Sequence, residues 1–281
     1  MSSDKQPKRH QSRKRFGQHF LHDKAIIGKI VDAIAPQDGI PIVEIGPGAG
    51  ALTVPLLERA GTLDVIEIDR DLAGLLAEKC RGVDGLRIYT EDALKVDFRQ
   101  RYRGKIMLAG NLPYNISTPL LFHILDQIDC IHTMIFMMQK EIVDRICTQP
   151  GQPNYGRLSV MVQSKCHTEK LMTIGPGAFT PEPRVKSSLL RLVPREDFQA
   201  GIRDAGLFSD IVRIAFSHRR KTIRNALKDF LADGEFAQLG LAPVSRPETF
   251  SVTDFIDISN YIHDRGASRP SVDKPVDDNS H

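Results

Sequence analysis

The sequence predicts an α/β fold: a mostly parallel, seven-stranded sheet with helices on both faces, followed by a small all-α domain. Three observations point there. Short apolar runs alternate with helical stretches from Ile40 to Gln139, the pattern of βαβ units. Two further apolar runs have no helix between them. After about Pro194 every periodic stretch is helical.

Residues 24–35 come first, with Ile26, Ile27, Ile30, Val31 and Ile34 on one helical face. The runs "IPIVEIG", "LDVIEID", "LRIYT", "KIMLAG" and "TMIFMMQ" read as strands, and "ALTVPLLERAG" and "RDLAGLLAEKC" as helices among them. "YGRLSVMVQSKC" reads as a further helix. "EKLMTI" and "SSLLRLV" then complete seven strands. A parallel pair needs a long crossover, so these last two are expected as an antiparallel hairpin. "LFSDIVRIAF", "KTIRNALKDFLA" and "VTDFIDISNYI" are helical in period. The expected divisions are a basic tail over 1–15, an α/β domain over 16–197, a helical domain over 198–265 and a disordered tail over 266–281. That last stretch is rich in Pro, Ser and Asp and lacks large apolar groups.

With 281 residues and 41% hydrophobic content, the chain can build a sizeable core. No stretch approaches the roughly 18 apolar residues of a membrane span. The N-terminal stretch is basic but has no apolar h-region, so no secretory signal is expected. Cys80, Cys130, Cys147 and Cys166 show no C-x-x-C spacing; no metal site is suggested, and free thiols in the cytoplasm are expected. Net charge is only +3 but unevenly spread. Lys5, Lys8, Arg9, Arg13, Lys14 and Arg15 face one acid, Asp4, and "SHRRKTIRN" contains none.

"VEIGPGAGALT" places Gly46, Gly48 and Gly50 directly after the first strand of the sheet. Glycines there let backbone approach a ligand at the carboxyl ends of the strands. Glu67 ends the next strand, where an acid meets ribose hydroxyls in nucleotide sites. Asp92 ends the third, and Asn111 the fourth. A dinucleotide fits such a loop, but its fingerprint is G-x-G-x-x-G and this loop reads G-x-G-x-G. S-adenosylmethionine, which has no phosphate, fits Asp92 and Asn111 better, and no His–Arg hydride-transfer constellation stands out.

"AGNLPYNIST" has a plain reading as a strand-end turn. Its chemical reading is a clamp for an exocyclic amine. The adenine amine is a poor nucleophile because its lone pair is delocalised into the ring. Acceptors on both of its hydrogens favour a pyramidal nitrogen and free that pair. The Asn111 side-chain oxygen and the Leu112 carbonyl can be those acceptors. Pro113 biases Leu112 toward extended geometry, and the Tyr114 ring can stack on the base.

"RKRFGQHFL", "VEIGPGAGALT", "VIEIDRDL", "EDAL", "GNLPYNISTPL", "YGRLSV", "AFTPEPRVKSSLLRL" and "RRKTIRN" together resemble the bacterial small-subunit (16S) rRNA adenine dimethyltransferases of the KsgA type. The resemblance runs from about Arg13 to about Tyr261. It implies a Rossmann-like, S-adenosylmethionine-dependent methyltransferase that dimethylates the N6 amines of two adjacent adenosines near the 3′ end of small-subunit rRNA. The implied cofactor contacts are His19, Leu21, Gly46, Glu67, Asp92 and Asn111, with Gly48, Gly50, Ile68 and Ala93 beside them. His19 stands where some relatives have Asn, and both can hydrogen-bond. Phe179 matches the family's second aromatic and is expected to close over the base opposite Tyr114; the plain alternative is a core Phe.

RNA binding needs cations along a backbone path. Arg13, Lys14, Arg15, Arg219, Arg220, Lys221 and Arg224 are the expected set, although charge runs are usually just solvated faces. The expected partner is the assembling small subunit; the protein is expected to be a monomer without membrane association. Two alternatives stay open: a large-subunit dimethylase of the macrolide-resistance type, and a non-catalytic assembly or transcription factor on the same fold.

Overall fold

The computed structural model describes residues 19–217 and 221–266. Among the described residues nine strands form: β1 Phe20–Leu21, β2 Ile42–Ile45, β3 Leu63–Ile66, β4 Leu86–Tyr89, β5 Ile106–Asn111, β6 Ile131–Gln139, β7 Cys166–Ile174, β8 Phe179–Thr180 and β9 Ser187–Pro194. Helices α1 Lys24–Ile34, α2 Thr53–Ala60, α3 Arg70–Lys79, α4 Phe98–Arg101, α5 Ser117–Leu125 and α6 Lys140–Cys147 lie among them. Asp23 caps α1 by accepting from the Ala25 and Ile26 N–H groups, and Ile30, Val31 and Ile34 are its buried face. Asp69 caps α3 in the same way, at the Asp71 N–H.

Seven strands make one sheet in the order β4-β3-β2-β5-β6-β9-β7. The pairs β2–β3, β3–β4, β2–β5 and β5–β6 are parallel, and β6–β9 is antiparallel. Side-chain pairs Thr173–Ser188 and Glu169–Arg191 cross β7 and β9 in opposite order, so these two strands are antiparallel as expected. A separate two-stranded ladder was not foreseen: Phe20 pairs with Thr180 and Leu21 with Phe179. Two-residue strands leave no periodicity to read.

By its contacts the chain divides into two units. Among the described residues the first is 19–143 with 168–194, and the second is 144–167 with 195–266. Residues 144–167 were expected in the α/β domain. Their helix α7, Arg157–Gln163, contacts α9, Ala205–Phe216, after the short α8, Glu196–Gly201. Tyr155 also meets Phe216 edge-on at 6.5 Å. The second unit ends with α10 Ile223–Ala226, α11 Asp233–Gln238 and α12 Val252–Asp264.

The single long helix expected over "KTIRNALKDFLA" is corrected to four residues, α10. The Ile223 and Arg224 N–H groups go to the Ser245 and Pro243 carbonyls, and turns after Leu227 bring Leu231 into the core. The four cysteines form no disulfide.

Candidate active site

Strand order reverses between β2 and β5, the crevice where open α/β sheets bind ligands. Glu44 of β2 lies opposite Ala109 of β5, so the glycine loop and the Asn-Leu-Pro-Tyr turn leave the sheet side by side. Gly110 allows this approach. A Cβ there would sit 2.3 Å from the Ile45 carbonyl oxygen, and backbone cannot yield that far.

The glycine loop is tied to the strand beside it. The Gly46 N–H donates to the Ile66 carbonyl at 2.9 Å. The Gly48 N–H donates to Glu67 Oε2 at 3.1 Å, and the Asp69 N–H to Glu67 Oε1 at 2.9 Å. Each carboxylate oxygen is thus fixed by one donor and keeps further lone-pair capacity. Burial raises the Glu67 pKa, and the N–H groups of Asp69 and Gly48 oppose the rise. Asp92 accepts from the Leu94 N–H at 3.0 Å and starts a short turn over Ala93–Lys95.

Asn111 Nδ2 donates to the His19 carbonyl at 3.0 Å. A carbonyl only accepts, so the amide NH2 must face it, and Oδ1 is left to accept from elsewhere. The Leu112 N–H donates to the Met137 carbonyl at 3.1 Å, while no backbone donor among the described residues uses the Leu112 carbonyl. The Tyr114 hydroxyl meets Ser187 Oγ at 2.7 Å, and its ring lies 5.5 Å from the His19 ring.

These groups wall one cavity of about 300 Å³ in the first unit. Of the expected cofactor contacts, His19, Leu21, Gly46, Gly48, Glu67, Ile68, Asp92, Ala93 and Asn111 line it, together with Leu112, Pro113 and Tyr114. β1 crosses the glycine loop, where a Cβ on Gly48 would lie 3.2 Å from the Phe20 ring.

Residues 9–264 match the family model of the ribosomal RNA adenine dimethylases. The chain belongs to this family. The "Ribosomal RNA small subunit methyltransferase A" of Nitrosococcus oceani is 49% identical over 254 residues, 90% of this chain and 96% of that protein. Its namesake from Aromatoleum aromaticum is 48% identical over 253 residues, covering 90% and 95%. Among solved structures, a dimethyladenosine transferase from Plasmodium falciparum superposes with a TM-score of 0.78 at 25% identity, covering 88% of this chain and 98% of that one. The 23S rRNA methyltransferase ErmE shares the fold, with a TM-score of 0.68 at 22% identity, over 87% of this chain and 99% of its own. The fold is therefore that of the Rossmann-like methyltransferases, and the protein is an rRNA methyltransferase.

Two of the residues expected at the site of this dimethylase do not line the cavity. Gly50 does not line the cavity; a Cβ there would press 2.6 Å from Leu76 Cδ1, so it serves the packing of the loop on α3. Phe179 does not line the cavity either. It is 1% exposed, paired with Leu21 and embedded in the core beneath β1. An apolar ring buries unless something holds it out, and here the β1–β8 ladder holds it in.

Of the expected RNA contacts, Lys221 is exposed and Arg224 Nη1 pairs with Asp233 Oδ2 at 3.3 Å. Arg13, Lys14, Arg15, Arg219 and Arg220 lie outside the described residues, as do 1–15 and 267–281 of the two tails.

Several groups at the site were not foreseen. Ser187 is fully buried at the start of β9, 73 residues from Tyr114. Glu91 lines the cavity and is held by the Arg101 guanidinium, which also lies 4.6 Å from the Tyr89 ring centroid. Glu44 lines it too, 1% exposed, with no hydrogen-bond partner for Oε2. Burial pushes the Glu44 pKa up to about 7; the nearby Thr53 hydroxyl opposes this, at a geometry too poor for a full hydrogen bond. A charged residue inside the apolar run "IVEIG" was the local signal for Glu44. No sequence signal links Ser187 to Tyr114.

Proposed function

We propose that this dimethylase transfers methyl groups from S-adenosylmethionine to the N6 amines of two adjacent adenosines near the 3′ end of 16S rRNA, during assembly of the small ribosomal subunit. The observation that carries the reading is the pairing of the Asn111 side-chain oxygen and the Leu112 carbonyl, neither accepting from a donor among the described residues, on a wall shared with Glu67 and Asp92. The cavity residues fit the cofactor chemically. Glu67 and Asp92 offer acceptors for ribose hydroxyls and an adenine amine, and Ile68, 49% exposed, offers apolar surface for a ring.

When bound, S-adenosylmethionine supplies an electrophilic methyl group. Asn111 and Leu112 accept from the two hydrogens of the target amine and turn its lone pair outward. Pro113 holds Leu112 extended, and the ring of Tyr114 stacks on the base. No strong base is required, because the amine gains acidity once methylated and its proton leaves to solvent. Orientation supplies much of the rate. The target adenosines must leave their stack to enter the cavity, at a cost of a few kcal/mol unless already unpaired. Arg13, Lys14, Arg15, Arg219, Arg220, Lys221 and Arg224 serve the RNA backbone in this reading. The names of the relatives favour a small-subunit target over a large-subunit one.

The deciding experiment offers labelled cofactor to small subunits lacking the modification, to naked rRNA and to large subunits, and maps dimethyladenosine. Two adjacent modified adenosines near the 3′ end of 16S rRNA are expected. Modification of large-subunit RNA alone would overturn the reading.

A further inference from the structure

The Tyr114 hydroxyl is held at the edge where β9 begins. Its partner, Ser187 Oγ, lies 2.7 Å away and belongs to a residue with no exposed surface. Ser187 is fixed by register. It lies opposite Gln139 of β6, while Met137 of β6 lies opposite Asn111 of β5. The parallel β5–β6 pair and the antiparallel β6–β9 pair thus set the distance between the Asn-Leu-Pro-Tyr turn and Ser187. Burial raises the Tyr114 pKa, so the phenol stays protonated and able to donate.

The same ring is met by a second group. The His19 ring lies 5.5 Å from it, tilted by 35°. His19 Nδ1 is 2.8 Å from the Pro181 carbonyl oxygen. That oxygen only accepts, so Nδ1 carries the proton and the imidazole is oriented. Pro181 directly follows β8 and Ser187 opens β9, seven residues of continuous chain. Tyr114 is therefore braced through its hydroxyl and along its ring by one stretch of chain.

We propose that Ser187 is a positioning residue of the methyl-transfer reaction: it locks Tyr114 through its hydroxyl, with His19 as a side support, so that the ring presents a fixed platform to the target base. The inference rests on the reading of Tyr114 as the stacking residue. Ser187 touches neither base nor cofactor in this account. Its loss lets the ring swing while leaving the ring, the clamp and the cofactor walls in place. The effect belongs to turnover and not to cofactor binding.

The test is a double-mutant cycle of Ser187→Ala and Tyr114→Phe, read by single-turnover methyl transfer to small subunits, by the KM for cofactor and by RNA affinity. Each single variant is expected to lower the transfer rate about 5- to 10-fold, the worth of one hydrogen bond. The double variant should be no slower than either single. The cofactor KM and RNA affinity should change less than about twofold, which a general loss of folding would not spare. Full-rate transfer by either single variant overturns the brace, as does a double variant slowed by the product of the two. Should Ser187→Ala not fold, Tyr114→Phe removes the same bond from the partly exposed side and decides alone. Absence of transfer by the wild-type chain would instead refute the proposed function.

Discussion

The Asn111 amide donates to the backbone carbonyl of His19 across 3.0 Å, from a residue 92 positions away. This bond selects which end of the amide faces the cavity. Asn111→Ala removes the acceptor and is expected to cut methyl transfer by roughly 10²- to 10³-fold, the scale of losing one preorganised polar group. RNA affinity should be kept. Asn111→Asp is the sharper variant, because it sets a carboxylate oxygen against the His19 carbonyl. It should lose activity and lower Tm together. Near-normal transfer by either variant would remove Asn111 from the clamp.

Glu67 receives one N–H from the glycine loop and one from the turn into α3. Glu67→Gln replaces one acceptor with an NH2 that must face a donor. Weakening of S-adenosylhomocysteine binding by about 10- to 100-fold is expected, measured by calorimetry, with little change in RNA affinity. Unchanged affinity would mean that Glu67 only holds the loop.

Glu44 makes stability depend on pH. Burial favours its neutral form, so the folded pKa is about 7 against an ordinary 4.5. Between these values the folded chain holds a proton that the unfolded chain has released. The carboxyl is therefore harmless below about pH 4.5, and stability falls as pH rises from there to about 7 and then levels. The span is on the order of 3 kcal/mol. Glu44→Gln removes this slope, so its Tm should gain on the wild type as pH rises through that window. Parallel Tm curves across it would refute the assignment.

Gly110 is expected to tolerate no side chain. Gly110→Ala drives a methyl group against the Ile45 carbonyl and should cost about 2–4 kcal/mol, by forcing β5 away from β2. Chemical denaturation measures this directly, and a loss under about 0.5 kcal/mol would show that the strands part easily.

Most of the sheet was legible because buried parallel strands are short apolar runs, and because "EKLMTI" and "SSLLRLV" left no room for a crossover helix. The cavity walls at Gly46, Glu67, Asp92 and Asn111 were legible because they fall at four successive strand ends. What escaped was set by pairings distant in sequence. Phe179 carries no local mark to distinguish a cavity aromatic from a core one; its ladder with Leu21 decides. Ser187 reads as an ordinary strand residue until β9 is placed beside β6. Residues 144–167 look like a continuation of the α/β pattern, and only tertiary contacts, α7 on α9 and Tyr155 on Phe216, reveal the other allegiance.

The ladder of Phe20–Leu21 with Phe179–Thr180, extended by the His19–Pro181 bond, joins stretches some 160 residues apart. On a translating ribosome the glycine loop and Asn111 emerge long before residue 181 does. Until then the His19 carbonyl has no ladder to hold it, and the amide of Asn111 has no fixed direction. Catalytic competence therefore cannot precede the emergence of residue 181, well after the central strands β2 and β5 can pair.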